Sequence, residues 1–301
     1  MKVHATHSLI KRWNRAIQLA FLSAMGDHFP HLSEAVIVHG GTALSLAWQG
    51  PRHSEDIDML FDGRRIDELH AMMQAISPRL NDFLAKDMPG LKLDVRIKQS
   101  DRKLQCFHLA GSMPDVLGSA KVKLEFWPVS IDYLRSYPCD SMCFCARLKH
   151  PLRVATLESI YYDKLLALCL REFVKCRDVF DAWWLAQSCP SEIGVKQDMD
   201  RFMAHAQAYD LSTLFSEKGG GVFLDENLDV AAMAVTLRDD LQRWLHSDAF
   251  MQYNDKDFSS MVGHAQTACR EIHRSLSSDW TPHPSCQAAD DMRPLAVVLR
   301  P

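Results

Sequence analysis

The sequence predicts an α+β fold in which a mixed β-sheet precedes a helical domain. Short apolar or alternating segments, typical of strands, are confined to the first half of the chain. From Thr156 onward the apolar spacing becomes helical instead. With 47% hydrophobic residues in 301, the chain is long enough to bury two cores. We therefore expect a sheet domain with its first helix over 1–152, a helical domain over 153–278 and an irregular tail over 279–301.

The first part of the chain alternates helices and strands. A helix is expected over His7–Met25, whose apolar residues recur at helical spacing. The run "VIVHGGTALSLAWQGPRHSEDIDMLF" then reads as a strand, a glycine turn, a short helix and a second strand. Their expected bounds are Val36–Val38, Gly40–Thr42, Ala43–Trp48 and Asp56–Phe61.

One helix and three strands are expected next. The helix covers Arg65–Leu84, with Pro78 as a point where it kinks or splits. Three strands follow, because apolar and charged residues alternate in two of them and one buried face is expected for each. Their expected bounds are Leu91–Ile97, Leu104–Leu109 and Lys121–Val129.

The second half of the chain is predicted to be helical. Two helices joined by a short polar link are expected at Leu157–Arg171 and Cys176–Gln187. Further helical segments are expected near 195–208, 228–246 and 259–276. The tail contains four prolines, which favours an irregular conformation.

The composition excludes some classes of protein. The formal net charge of −4 gives no overall basic field, so any contact with a nucleic acid must come from a local patch. There is no run of 18 apolar residues and no signal-peptide pattern, so we expect no membrane association. Nine cysteines without a regular framework fit reduced thiols in the cytoplasm.

Two acidic residues interrupt the second apolar strand. Asp56 and Asp58 point to the same face because successive strand side chains alternate. Two like charges side by side are unfavourable unless a cation or water screens them. A magnesium ion, with manganese as an alternative, would satisfy both carboxylates and share a triphosphate with them. The simpler interpretation is that the pair forms the wet face of an edge strand.

The glycine turn before the acidic strand favours the metal interpretation. Gly40, Gly41 and Thr42 offer backbone N–H groups and a hydroxyl to a phosphate at a helix N-terminus. Because only one helix separates this turn from Asp56 and Asp58, a triphosphate could be held by the turn at one end and by the metal at the other.

These motifs resemble the polymerase-beta-type nucleotidyltransferase superfamily, in which a glycine turn and a helix precede an acidic strand. More narrowly, "GGTALSLAWQGPRHSEDIDM" is similar to the AbiEii/AbiGii toxin family, whose members carry GGTAL, an arginine and S-x-DID. The later block "RVATLESIYYDKLLALCLREFVKCRDVFDAWWL" is similar to that family's DK-x-x-AL-x-x-R and RD-x-x-D helices. The matching blocks run from about Val36 to Leu185.

The resemblance implies a nucleotidyltransferase fold, a mixed sheet whose active site the helical domain completes. The metal ligands would be Asp56, Asp58 and a third carboxylate. Glu125 in "KVKLEFW" is preferred as the third, and Asp94 in "KLDVRI" is its rival. The resemblance places Gly41 and Thr42 on the family's phosphate-side turn. The further candidates for contact with the nucleotide are Gly40, Arg52, Ser54, Arg171 and Asp181, and bracing of Asp56 is the alternative role of Arg52.

The later block has a physical rationale of its own. Lys164 and Arg171 share a helix face, as do Asp178 and Asp181 on the next helix. Lys164 could neutralise a nucleotide phosphate, with Asp178 orienting the lysine or accepting a proton. The alternative is a set of inter-helix salt bridges.

The resemblance implies a toxin that transfers a nucleoside monophosphate (NMP) from a nucleoside triphosphate (NTP) to the 3′ end of tRNA, with a cognate antitoxin. Transfer to a protein side chain, or nucleotide binding without turnover, are the alternatives. An RNA would need a basic patch. Lys92, Arg96 and Lys98 form one charged strand face that Lys121 and Lys123 could extend in an adjacent strand. Solvated strand edges explain the same lysines equally well.

Overall fold

The computed structural model describes residues 2–143, 145, 148–189, 202 and 221–279. The chain divides into two compact units, Met1–Thr156 and Leu157–Pro301. The first unit contains a mixed seven-stranded sheet and the second is helical in its described residues, so the predicted α+β fold is confirmed. The predicted tail beyond Asp279 lies outside the described residues, as does the segment 195–208 apart from residue 202.

The large sheet has the strand order β4-β5-β7-β3-β2-β9-β8, and a separate parallel pair is formed by β1 and β6. Strand β3 pairs parallel to β7 and antiparallel to β2, so the acidic strand is central in the sheet. The strands are β1 (Val3–His4), β2 (Val36–His39), β3 (Asp56–Asp62), β4 (Lys92–Ser100), β5 (Gln105–Ser112), β6 (Val116–Leu117), β7 (Ala120–Val129), β8 (Cys139–Met142) and β9 (Leu152–Ala155).

The helices of the first unit are α1 (His7–His28), α2 (Pro30–Ser33), α3 (Gly40–Thr42, continued as a π-helical turn over Ala43–Ala47), α4 (Ile66–Asp87) and α5 (Ile131–Ser136). The described helices of the second unit are α6 (Leu157–Leu170), α7 (Cys176–Ser188), α8 (Gly221–Leu224), α9 (Val230–Leu241), α10 (Ser247–Phe250) and α11 (Asp255–Asp279). No helix of the described chain is long and apolar enough to cross a membrane.

Helices α1 and α4 pack against one face of the sheet. On α1, Ile17 approaches Gly111 of β5 so closely that an added Cβ would lie 2.8 Å from its Cδ1 atom. On α4, the His70 ring packs edge-on against Phe107 of β5, with 5.6 Å between the ring centroids. Phe107 in turn meets Phe126 of β7 at 6.0 Å, so aromatic rings build the core beneath the helices. The opposite face of these strands carries the polar residues.

Three local expectations require correction. Pro78 does not split the helix into two elements, since α4 is continuous from Ile66 to Asp87 and Pro78 lies on its exposed side. Ile97 was expected to share the buried face of β4, but it is 57% exposed, at the point where the register of this edge strand shifts between Ile97 and Gln99. Strands β8 and β9 were not predicted, since four residues are too few to show a clear alternation.

Candidate active site

Strand register brings Asp58 and Glu125 together. The parallel pairing of β3 with β7 makes Asp58 the Cα partner of Glu125, and Asp56 the partner of Lys123. Paired residues on neighbouring strands project from the same face, so all four side chains share the polar face of the sheet. The side chain of Glu125 is 13% exposed.

The environment of Glu125 penalises its negative charge. Burial is the largest cause and the charge of Asp58 adds to it, and together with a hydrogen bond between the two side chains they raise the pKa of Glu125 to about 7. Lys123 opposes this effect, because its Nζ lies 2.5 Å from Glu125 Oε1. Two facing carboxylates of this kind call for additional positive charge.

Asp94, the rival third carboxylate, lies elsewhere. It is on β4, the edge strand, and β5 and β7 separate it from β3. Its Oδ2 accepts a 2.5 Å hydrogen bond from Arg96 Nε, and its side chain is 54% exposed. The structure thus places Glu125, and not Asp94, beside the acidic pair.

The glycine turn lies directly against the acidic strand. Gly40 has a φ of +66°, and a Cβ there would lie 2.9 Å from Asp58 Oδ2. A Cβ on Gly41 would collide with the Arg52 guanidinium. Each glycine therefore allows a close approach, one to a carboxylate and one to a cation. Both close approaches lie at the start of α3.

Three hydrogen bonds converge on the backbone carbonyl of Asp56. Thr42 Oγ1 donates to it and also lies 3.0 Å from Ser54 Oγ, which itself donates to the carbonyl at 3.2 Å. Gln18 of α1 donates from Nε2 at 3.3 Å, and to the Ser54 carbonyl at 2.9 Å. The two predicted nucleotide-binding hydroxyls thus tie the turn to the acidic strand, and their contact with a nucleotide stays a prediction.

Arg52 is buried, with 3% of its surface exposed, against the glycine turn. Its Nη1 donates a 2.9 Å hydrogen bond to the His53 carbonyl. A buried guanidinium at this position supplies positive charge next to the turn that was predicted to hold phosphate.

The second unit holds the other predicted site residues in one ion-pair network. Lys164 Nζ of α6 lies 2.6 Å from Asp178 Oδ1 and 3.0 Å from Asp181 Oδ2 of α7. Arg171 pairs with the second oxygen of Asp178. The two aspartates are buried, at 4% and 1% exposure, so this network links the two helices in the core of the unit.

The facing carboxylates of Asp58 and Glu125 are the side chains that best fit a magnesium ion. In the part of the chain that the structure describes, no three His, Cys, Asp or Glu side chains form a group that could hold a metal ion. Magnesium sites commonly use one or two carboxylates and complete their shell with phosphates and water. Asp58 and Glu125 fit that requirement, because they are hard oxygen donors whose mutual repulsion a cation would relieve.

Two residues near the site were missed as site residues from the sequence. Gln18 is a buried polar residue in the apolar spacing of α1, which is the one signal that could have identified it. Lys123 was assigned to a basic surface, although its position two residues before Glu125 already puts both on one strand face.

Comparisons with known proteins gave a family match and matches to solved structures. A family model described as "Nucleotidyl transferase AbiEii toxin, Type IV TA system" matches residues 23–263. The crystal structure of JHP933 from Helicobacter pylori is 18% identical, with a TM-score of 0.50 over 89% of this chain and 95% of that one. An H. pylori protein described as a candidate nucleotidyltransferase is 19% identical, with a TM-score of 0.47 over 88% and 95%. No curated protein matches this chain.

Proposed function

Because this chain belongs to the AbiEii family of nucleotidyltransferase toxins of type IV toxin–antitoxin systems, we propose that it transfers an NMP from an NTP to the 3′-terminal hydroxyl of tRNA. The acceptor oxygen attacks the α-phosphorus, the bond to the bridging oxygen of pyrophosphate breaks, and the acceptor proton passes to solvent. Pyrophosphate leaves, so atoms and charge balance.

The observation that carries this proposal is the apposition of Asp58 and Glu125 beside the Gly40–Gly41 turn. In our proposal the facing carboxylates of Asp58 and Glu125 hold a magnesium ion, or manganese in its place, and Asp56 lies beside them on the same face of the sheet. The ion, when bound, would neutralise charge on the triphosphate and on the leaving pyrophosphate. The backbone N–H groups of the turn and the buried Arg52 side chain would bind phosphate oxygens.

The ion-pair network of the second unit is proposed to present Lys164 to a nucleotide phosphate. Both oxygens of Asp178 already accept from cations, Oδ1 from Lys164 and Oδ2 from Arg171. This arrangement favours an orienting role for Asp178 over proton acceptance, because two cationic partners stabilise the carboxylate in its ionised form. Asp181 would hold the same lysine from its other side.

The family also implies a partner antitoxin and a nucleotide substrate. We propose that the antitoxin is a protein and that the enzyme acts in the cytoplasm. We also propose that the reaction serves in phage defence.

A labelling experiment tests the proposal. The purified protein is incubated with each α-labelled NTP, magnesium, total tRNA and cell lysate, and label is followed into RNA and into polypeptide. We expect wild type to label tRNA and Asp58→Asn to label it at least about 100-fold more slowly. The reason is that a metal ligand supports several kcal/mol of transition-state stabilisation. Asp94→Asn is the matched control and should retain the rate, because Asp94 lies on the edge strand.

Three results would contradict the proposal. Equal RNA labelling by wild type and Asp58→Asn would remove the site assignment. Label in polypeptide alone would assign the protein-modifying reaction instead, and triphosphate binding without any pyrophosphate release would indicate a binding module.

A further inference from the structure

The polar face of the sheet carries a row of residues that starts at the acidic pair. Successive Cα partners across four strands are Asp56 of β3, Lys123 of β7, His108 of β5 and Arg96 of β4. Because paired residues share a face, these side chains lie side by side. Three strand spacings separate the ends of the row, a distance of about 14 Å. The row thus runs from the proposed active site to the edge of the sheet.

Basic side chains dominate this face away from the acidic residues. Lys121 of β7 and Lys92 of β4 are exposed, and the Arg96 side chain is 74% exposed. The sequence analysis expected the two lysine-bearing strands to be adjacent. The structure corrects this, because β5 separates β4 from β7 and His108 of β5 lies between their basic residues. Asp94, paired with Arg96, contributes the one acidic side chain of β4 on this face.

The field at the centre of the face is positive. Burial lowers the pKa of His108, and the charges of Lys121, Lys98 and Lys123 lower it further. Three cations from two strands therefore act on the same point of the surface. Packing of the core helices does not explain these lysines, because α1 and α4 pack against the opposite face of the sheet, on Gly111 and Phe107 of β5.

We propose that this basic face (Lys92, Arg96, Lys98, His108, Lys121 and Lys123) binds the phosphate backbone of the acceptor RNA and leads its 3′-hydroxyl to Asp56 and Asp58. The proposal rests on the proposed function and adds to it the surface that selects a polynucleotide acceptor. The row of about 14 Å is long enough to contact more than one phosphate of a polynucleotide backbone. A single amino-acid hydroxyl would have no use for so long a cationic track.

The net charge of the chain is −4, which favours a local surface as the contact with RNA. A chain with this net charge does not attract RNA by its average field, so binding depends on a local surface. Phosphate contacts with lysine and arginine release counterions, and each one adds about 0.7–0.9 to the slope of log K against log salt. A basic face that merely keeps an edge strand soluble would produce no such slope for RNA.

The test uses two matched double variants of the full chain. Arg96→Glu/Lys121→Glu reverses two charges on the basic face, outside the proposed metal and nucleotide ligands. Arg79→Glu/Lys86→Glu makes the same two changes at exposed positions of α4, which packs on the other face. Thermal unfolding should be equal for the two variants, because all four side chains are exposed or at the surface.

Binding is measured by the anisotropy of 5′-fluorescein-labelled tRNA over a salt series, in EDTA so that no transfer occurs. The basic-face variant should bind at least about 10-fold more weakly than wild type and lower the salt slope by about 1.5, corresponding to two lost phosphate contacts. The α4 variant should match wild type. Equal tRNA binding by both variants would overturn the proposal.

A transfer assay separates this proposal from the proposed function. If wild type labels RNA and the basic-face variant labels it equally well, the surface is wrong and the function stands. If wild type binds tRNA through this face but transfers no label to it, the function fails while the surface remains. If the basic-face variant fails to label an acidic protein that wild type labels, but binds tRNA as wild type does, the face would be reassigned to a protein partner. That result would overturn the RNA proposal.

Discussion

Gly40 is the residue whose lack of a side chain matters most at the site. Its positive φ is in the region that other L-residues adopt at a cost of about 1–2 kcal/mol. A Cβ would also press on Asp58 Oδ2. Backbone conformation and the position of a carboxylate are therefore coupled at this one residue.

We predict that Gly40→Ala lowers the free energy of unfolding by about 1–2 kcal/mol and weakens magnesium–triphosphate binding beyond that loss, because Asp58 must move. Gly263→Ala on α11 is the control. It has open space around its Cβ position and should stabilise the protein by about 0.5–1 kcal/mol without changing binding. Urea unfolding and calorimetric titration measure the two effects. Unchanged triphosphate affinity in Gly40→Ala would refute the coupling.

Glu125 makes stability depend on pH. Its folded-state pKa is raised from 4.5 to about 7, so the native protein retains a proton that the unfolded chain has already released. The resulting stabilisation is complete below pH 4.5, declines between pH 4.5 and 7, and is lost above pH 7. The raised pKa corresponds to at most about 3 kcal/mol.

We therefore predict that the free energy of unfolding of wild type, minus that of Glu125→Gln, falls from pH 5 to pH 8. Both are measured by urea unfolding in EDTA. At pH 8, magnesium should raise the unfolding midpoint of wild type more than that of Glu125→Gln, since the ion replaces the lost proton between the carboxylates. A difference that stays flat with pH would show that Glu125 is ionised throughout.

At the scale of elements, helices α6 and α7 are joined by charge as well as by packing. Lys164 lies between Asp178 and Asp181, and removal of one partner from such a buried network costs about 3–5 kcal/mol. A loss of activity in a lysine variant would therefore not distinguish a nucleotide ligand from a structural ion pair. A second substitution is needed to separate the two roles.

We predict that Lys164→Met destabilises the protein and abolishes transfer, whereas Lys164→Met/Asp181→Asn recovers most of the stability but none of the activity. The double variant removes the unpaired charge of Asp181, and Asp178 keeps Arg171. Unfolding curves and single-turnover transfer rates provide the two measurements. Recovery of the rate together with the stability would assign Lys164 a purely structural role.

The long elements were predictable because their patterns repeat. Val122, Leu124 and Phe126 alternate with charged residues over the ten residues of β7, and all three are fully buried. Strands β8 and β9 have four residues each and show too little alternation to be identified. Ile97 follows the β4 pattern but is exposed where the register of this edge strand shifts, and local alternation carries no information about strand order or register.

At the scale of the whole molecule, charge is distributed unevenly. The chain as a whole is acidic, yet the polar face of its sheet is basic from β7 to β4 apart from Glu125 and Asp94, and acidic at β3. This separation requires the strand order, since β4 and β7 are brought to the two sides of β5 only in the folded sheet.

The sequence by itself determined the fold class, the glycine turn, the acidic strand and the family, because these depend on local spacing and on motifs that are contiguous in the chain. The tertiary structure alone decided that Glu125 and not Asp94 meets Asp58, that Gln18 holds the Asp56 carbonyl, and that one row of basic residues crosses three strands. The physical reason is that hydrogen bonding between strands sets their order and register. Those pairings join residues far apart in the chain, and no local pattern encodes them.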